Sequence, residues 1–215
     1  MNAAEVLSIP KKKDELIRRI DPYGFEKIDR ALDGGKGAIL VSAHFGNWEL
    51  QPVYYCSRGY TVSVIARRIY YEKYDEWVRV LRESTGVNII FRDESPKKVI
   101  SVLKNNNLLG VLPDQDIDSI EGVFVDFFGK TAYTPSAPVV LAMKMGSPIL
   151  PCFIVRNKNR HKAIVGDPIK MEITGNKEED IRKNTQLWTS AVESYIRKYP
   201  EQWVWMHKRW KTKQK

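Results

Sequence analysis

Ala38-Ile39-Leu40-Val41-Ser42-Ala43-His44-Phe45-Gly46-Asn47-Trp48-Glu49-Leu50 is the stretch on which the fold turns. Its first half reads as a strand buried on both faces, because the apolar run is short and does not alternate. Gly46 breaks the run, and a helix restarts with Asn47 and Glu49 in its first turn. His44 therefore sits where the strand ends. In open α/β sheets, ligands bind in the crevice beyond the carboxyl ends of the strands. A carboxylate five positions after a histidine does not align with it on one continuous helix, since five residues turn about 500°, or about 140° net. The two face each other only if the chain turns between them, which Gly46 permits. The spacing suggests a neutral imidazole held in one tautomer by Glu49, with its other nitrogen free to take a proton. The plainer alternative is a loop histidine beside a carboxylate favoured by the helix dipole.

The chain of 215 residues is long enough for one α/β domain with a substantial core. We divide it into a basic N-terminal segment, 1–20, and a domain over 21–215. A net charge of +9 favours an acidic partner, whether nucleic acid, an anionic membrane surface or an acidic carrier protein. The two cysteines, Cys56 and Cys152, lie far apart in apolar surroundings and read as core residues of a reducing compartment. No run is long enough to span a bilayer, and the first ten residues do not read as a secretory signal. The expected location is cytoplasmic, pressed peripherally onto a membrane.

Along the chain, Lys11, Lys12, Lys13, Arg18 and Arg19 form a basic stretch that fits a solvated first helix or contact with anionic lipid through Leu16, Ile17 and Ile20. Asp21-Pro22 reads as the start of a helix ended by Gly34-Gly35. Helices follow over 47–57, 71–83 and from Ser95-Pro96, alternating with strands over 60–66, 87–91 and 108–112. Trp77, Val80, Leu81 and Tyr74 are expected to face inward. The alternation predicts a mixed, mainly parallel sheet flanked by helices. Right-handed crossovers then place His44, Ala66-Arg67 and Pro113-Asp114 on one rim. Residues 114–134 read as a long Phe-rich loop, and Thr134-Pro135 as the cap of a further helix. A strand over 148–155 should pair antiparallel with 162–166, with an edge strand over 170–173 and a long helix over 176–198. The closing run from Pro200 interleaves Trp203, Trp205 and Trp210 with basic residues, as at a membrane interface or carrier-docking surface, on stacked nucleic acid, or in a tail packed into the core.

The sequence has no phosphate-binding Gly loop, nucleophile elbow or zinc motif. Asp114-Gln115-Asp116 lacks the oxygen-rich spacing of a hard-cation site, so no metal is expected and nothing calls for a cofactor. With no Ser or Cys nucleophile in a motif, His44 makes most sense as a general base for a bound hydroxyl. Arg67-Arg68 would bind phosphate or support an oxyanion. These are the parts that acyl transfer to an alcohol requires.

Ala43-His44-Phe45-Gly46-Asn47-Trp48-Glu49 resembles the HxxxxE block of the lipid A biosynthesis (lauroyl/myristoyl) acyltransferase family, within the glycerolipid and lysophospholipid acyltransferase group. The resemblance continues at Asp114-Gln115, at Gly122-Val123-Phe124-Val125-Asp126-Phe127-Phe128-Gly129 and at Ala132-Tyr133-Thr134. It closes at Pro200-Glu201-Gln202-Trp203-Val204-Trp205-Met206-His207-Lys208-Arg209-Trp210. It implies a single domain of that group's fold. It also implies transfer of a fatty acyl chain from acyl-carrier protein or acyl-coenzyme A to a hydroxyl of a lipid A precursor-like acceptor, at the cytoplasmic face of the inner membrane. His44 would deprotonate the acceptor and Glu49 would orient His44. Asn47, Arg67 and Arg68 would bind substrate, and Asp114 and Gln115 would form the site floor. Phe127, Phe128 and Gly129 would belong to the acyl-chain pocket. Asp126 and Arg68 stand where proline is common in the family, and members usually carry a longer N-terminal region with a membrane-spanning helix. A thioesterase acting on acyl thioesters, a lysophospholipid acyltransferase and a non-enzymatic basic module are the competing expectations.

Overall fold

The computed structural model describes residues 2–68 and 70–214. In chain order the elements are α1 (Asn2–Arg18), β1 (Ile20–Tyr23), α2 (Glu26–Leu32), β2 (Ala38–Val41), α3 (Leu50–Ser57), β3 (Val62–Ala66), α4 (Glu72–Glu83) and β4 (Asn88–Phe91). There follow α5 (Pro96–Lys104), β5 (Leu108–Val111), β6 (Gly122–Phe127), β7 (Lys130–Pro135), α6 (Ala137–Met145), β8 (Ile149–Asn157), β9 (Arg160–Val165) and α7 (Lys177–Lys198).

Seven strands form one sheet in the order β1-β9-β8-β2-β5-β3-β4, and β6–β7 form a separate hairpin. From β8 to β4 all neighbours are parallel, while β9 runs antiparallel to β8 and β1 parallel to β9. All four residues of β2 are buried, as a central parallel strand requires. Helices cover both faces. Ile39, Val41, Leu109 and Val111 pack toward Val139 of α6 and Trp188, Val192 and Ile196 of α7. Leu40, Val62 and Leu108 pack toward α3, with Ile9 and Leu16 of α1 in the same cluster. The architecture is the expected mixed, mainly parallel α/β sheet. Val41 pairs with Val111 and Val64 with Gly110, so β2, β5 and β3 end on one rim.

Several local expectations are corrected. Asp21-Pro22 lies in strand β1, an edge position that tolerates proline, and the helix expected from there, α2, begins only at Glu26. Residues 114–134 are not an open loop, because β6 and β7 pair in register around a Phe128-Gly129 turn in which both residues have positive φ. Thr134-Pro135 ends β7, and Ser136 precedes α6. Residues 170–173 form no strand. The Asn184 side chain accepts from the Glu172 N–H (2.8 Å) and donates to its carbonyl (2.7 Å), doing what a neighbouring strand would do. On α4 only Leu81 is buried, while Trp77 and Val80 are exposed; the Tyr74 side chain lies outside the described residues. The basic residues of α1 straddle a kink at Lys12, two positions after Pro10, and Leu16 is turned into the core instead of toward lipid. In the closing run Trp203 and Arg209 are buried, and Trp205 and Met206 are exposed. Among the described residues no helix is long and apolar enough to cross a membrane.

Candidate active site

His44 follows β2 and Asp114 follows β5, neighbouring strands that end level, so the sheet brings the two together. Asp114 Oδ1 accepts from His44 Nδ1 at 2.8 Å, and Asp114 Oδ2 accepts the His44 backbone N–H at 2.9 Å. A third donor, the Trp203 indole N–H, reaches the same Oδ2 at 2.9 Å. Burial alone would raise the Asp114 pKa. The hydrogen bonds from His44 and Trp203 outweigh it, and the carboxyl is held below its ordinary value of 3.8. With a carboxylate on Nδ1, the neutral ring carries its proton there, and Nε2 is the basic nitrogen. Among the described residues Nε2 has no hydrogen-bond partner, and His44 lines a cavity of about 630 Å³.

Gly46 makes this geometry possible. Its φ is +58°, and a Cβ there would lie 1.7 Å from the Ile154 carbonyl oxygen. Its N–H donates to the Gln202 carbonyl at 2.9 Å, and the Val204 N–H donates to the His44 carbonyl at 3.0 Å. The closing run of the chain is thus laced along the loop that carries His44.

Glu49 does not hold His44. It accepts two hydrogen bonds from Arg82, at 2.9 Å from Nε and 2.5 Å from Nη2, and this bidentate pair ties the start of α3 to α4. Burial opposes the charge on Arg82, but the bond to Glu49 raises its pKa overall. The turn at Gly46 leads Glu49 toward α4, and Asp114 occupies the side of the ring that Glu49 was expected to take.

The other expected site residues divide in the same way. Arg67 and Gln115 line the cavity. Asn47 does not: it is buried and donates to Glu5 Oε2 at 2.8 Å, bonding to α1 instead of to a ligand. Arg68 lies outside the cavity lining, paired with Asp93 at 2.8 Å and stacked 4.0 Å over the Phe91 ring. Asp114 stands behind His44 and not on the floor. Phe127, Phe128 and Gly129 are also absent from the lining. Phe127 is core between Trp203 and Trp210, the Phe128 N–H donates to Glu193 at 2.7 Å, and Gly129 closes the hairpin turn.

Two groups of apolar residues line the cavity. On the α3 side these are Leu40, Val62, Val64 and Gly110 of the sheet, with Pro52 and Tyr55 of α3 and Val78 of α4. On the α6 side they are Val111, Leu112, Ile117, Ile120, Pro138 and Leu141. Arg92 joins Arg67 in the lining, and among the described residues neither is paired with a carboxylate. Burial and then the charge of Arg67 lower the Arg92 pKa. Two unneutralised guanidinium groups make this part of the lining an anion-seeking surface. His207 also lines it, accepting the Asp116 N–H on Nε2 at 2.8 Å, and burial lowers its pKa. Arg92, His207 and Trp203 were not read as site residues. The last two stand in the closing run, whose Trp-rich and basic pattern fits a surface or a tail packed into the core and does not by itself point to the site. Among the described residues no group of three or more His, Cys, Asp or Glu side chains is arranged to hold a metal ion.

The family model of bacterial lipid A biosynthesis acyltransferases matches residues 1–212. The phosphatidylinositol mannoside acyltransferase of Mycobacterium tuberculosis H37Rv is 31% identical over 154 residues, covering 68% of this chain and 48% of that protein. The lipid A biosynthesis acyltransferase of Haemophilus influenzae is 25% identical over 198 residues, 91% of this chain and 60% of that protein. The lipid A biosynthesis lauroyltransferase of Escherichia coli K12 is 25% identical over 204 residues, 92% of this chain and 64% of that protein. The chain thus spans 48% to 64% of the length of these curated relatives.

Proposed function

Because the chain belongs to the bacterial lipid A biosynthesis acyltransferase family, we propose that it moves a fatty acyl chain from an acyl thioester to a hydroxyl of a lipid or glycolipid acceptor, with His44 as general base. The observation that carries this reading is the His44–Asp114 pair at the edge of a large, mostly apolar cavity. The acceptor hydroxyl donates to His44 Nε2 and attacks the thioester carbonyl. The new C–O bond forms, the C–S bond breaks, and the proton taken by His44 passes to the departing thiolate. The products are an ester and a free thiol, with no covalent enzyme intermediate. Asp114 keeps the ring in the required tautomer and offsets the charge it gains, which is what a buried carboxylate on Nδ1 contributes. Arg67 and Arg92 bind phosphate on the acceptor or the carbonyl oxygen as it becomes negative.

The apolar group on the α3 side takes the acyl chain. The matched relatives are named for phosphatidylinositol mannoside and for lipid A biosynthesis, which supports a glycolipid acceptor. The net charge of +9 suits an acyl-carrier protein or acyl-coenzyme A as donor and the anionic cytoplasmic face of the inner membrane as the place of work. Exposed Tyr70, Tyr71, Trp77 and Met206 are side chains suited to such a surface.

Labelled acyl chains presented on acyl-carrier protein and on coenzyme A, with a panel of lipid acceptors, test the reading. Wild type should form a new ester, and His44→Ala should lose about 10²–10⁴-fold, the usual worth of a general base. Free fatty acid without ester would instead make the protein a thioesterase, with water in place of the alcohol.

A further inference from the structure

We propose that Trp203 is a positioning residue of the transfer reaction, its indole N–H holding the Asp114 carboxylate in the orientation that grips His44. This rests on His44 and Asp114 forming the working pair described above. Each carboxylate oxygen has a fixed task. Oδ1 faces the imidazole Nδ1 at 2.8 Å. Oδ2 takes two donors at 2.9 Å, the His44 backbone N–H and Trp203 Nε1. Twisting the carboxylate plane about its Cβ–Cγ bond would strain all three contacts, so the indole on Oδ2 helps fix the angle at which Oδ1 meets the imidazole.

The indole is itself fixed. Trp203 is buried, and its ring packs edge-on against Phe127 and Trp205. Its backbone forms an antiparallel bridge with Phe45, flanked by the Gly46-to-Gln202 and Val204-to-His44 hydrogen bonds. One short segment of the chain's end therefore sets the His44 loop and the Asp114 carboxylate at once. Packing alone would accept any ring of this size. A buried indole N–H needs an acceptor, and the acceptor here is the carboxylate behind the base.

Without that N–H, negative charge concentrates on the remaining contacts of Asp114, and the pair binds its proton more tightly. Asp114 is held below its ordinary value in part by Trp203, which agrees with this. The other charged or titratable groups around Asp114 are His44, His207, Arg209 and Asp116.

The test replaces Trp203 with β-(3-benzothienyl)alanine, which keeps the bicyclic shape and lacks the N–H, and with phenylalanine as a second variant. The same benzothienyl replacement at Trp188 serves as control, since Trp188 is buried core and its indole N–H has no partner among the described residues. Acyl transfer is followed from pH 5 to 9. Loss of the donor should lower kcat about 10-fold with KM changed less than about 2-fold. The acid limb of kcat/KM should move to higher pH, with Tm close to wild type for the benzothienyl variant. An unmoved acid limb with normal kcat would overturn the proposal. So would a fall in kcat accompanied by an equal fall in folded fraction and an unmoved limb, which would make Trp203 packing only. His44→Ala is measured in parallel. If it retains transfer, the underlying pair fails and the proposal fails with it. If it loses transfer while the benzothienyl variant is indistinguishable from wild type, only the role of Trp203 fails.

Discussion

A histidine becomes a useful base when one ring nitrogen is pinned and the other is left free. His44 meets both conditions, and its place at the end of a buried strand was legible from the strand–glycine–helix pattern. Its partner was not. Glu49 is near in sequence, whereas Asp114 lies 70 positions away and is brought close only because β2 and β5 are neighbours. That adjacency follows from sheet order, which no local pattern displays. A second histidine gives a prediction independent of chemistry. His161 is buried against Glu5 and held below its ordinary 6.5, first by burial and then by Arg156, against the opposing pull of Glu5. The unfolded chain takes up a proton near pH 6.5 while the folded chain resists it, so acidification below that value favours unfolding. Tm measured from pH 7 to 5 should therefore fall less steeply in His161→Gln than in wild type. Equal slopes would mean that His161 titrates alike in both states.

Elements set the positions of these residues. Gly46 lets β2 hand over to α3 with His44 at the rim. Gly46→Ala should destabilise the fold by at least about 2 kcal/mol, since it combines a left-handed backbone with overlap on the Ile154 carbonyl. Chemical denaturation reads this directly. The Glu49–Arg82 pair joins α3 to α4 beside the cavity. Replacing either partner with glutamine should cost about 2 kcal/mol, and a double-mutant cycle should show coupling of about 1 kcal/mol or more, because both side chains are largely shielded. Coupling near zero would make the pair incidental. The long helix α7, the β8–β9 pair and the Ser95 cap of α5 were legible because period, turn and cap signals agree there. The β6–β7 hairpin was missed although its signal was present. Val125 and Phe127 are buried and Asp126 between them is exposed, the alternation of a strand, followed by Gly129 at a turn. The family resemblance implies an acyl-chain pocket at Phe127 and Phe128, and Phe127 instead fills the core under Trp203 and Trp210.

At the scale of the molecule, the order β8-β2-β5-β3 places the base, its carboxylate and the Arg67 loop on one edge of the sheet, with the apolar lining beneath. The fold class could be read from alternating strands and helices. The cavity could not, because it is built from residues of the sheet, α3, α4 and α6 that meet only in three dimensions. If the α3-side lining holds the acyl chain, Val64→Phe should shorten the preferred donor, lowering kcat/KM for the longest chains by about 10-fold or more while sparing short ones. An unchanged chain-length profile would move the acyl chain to the α6 side. The most direct test of the His44–Asp114 pair compares Asp114→Asn with Glu49→Gln in single-turnover acyl transfer, each corrected for folded fraction. Asp114→Asn should lose about 10²-fold or more, and Glu49→Gln should stay within about 10-fold of wild type. Full loss in Glu49→Gln with near-normal transfer in Asp114→Asn would contradict the assignment and return the orienting role to Glu49.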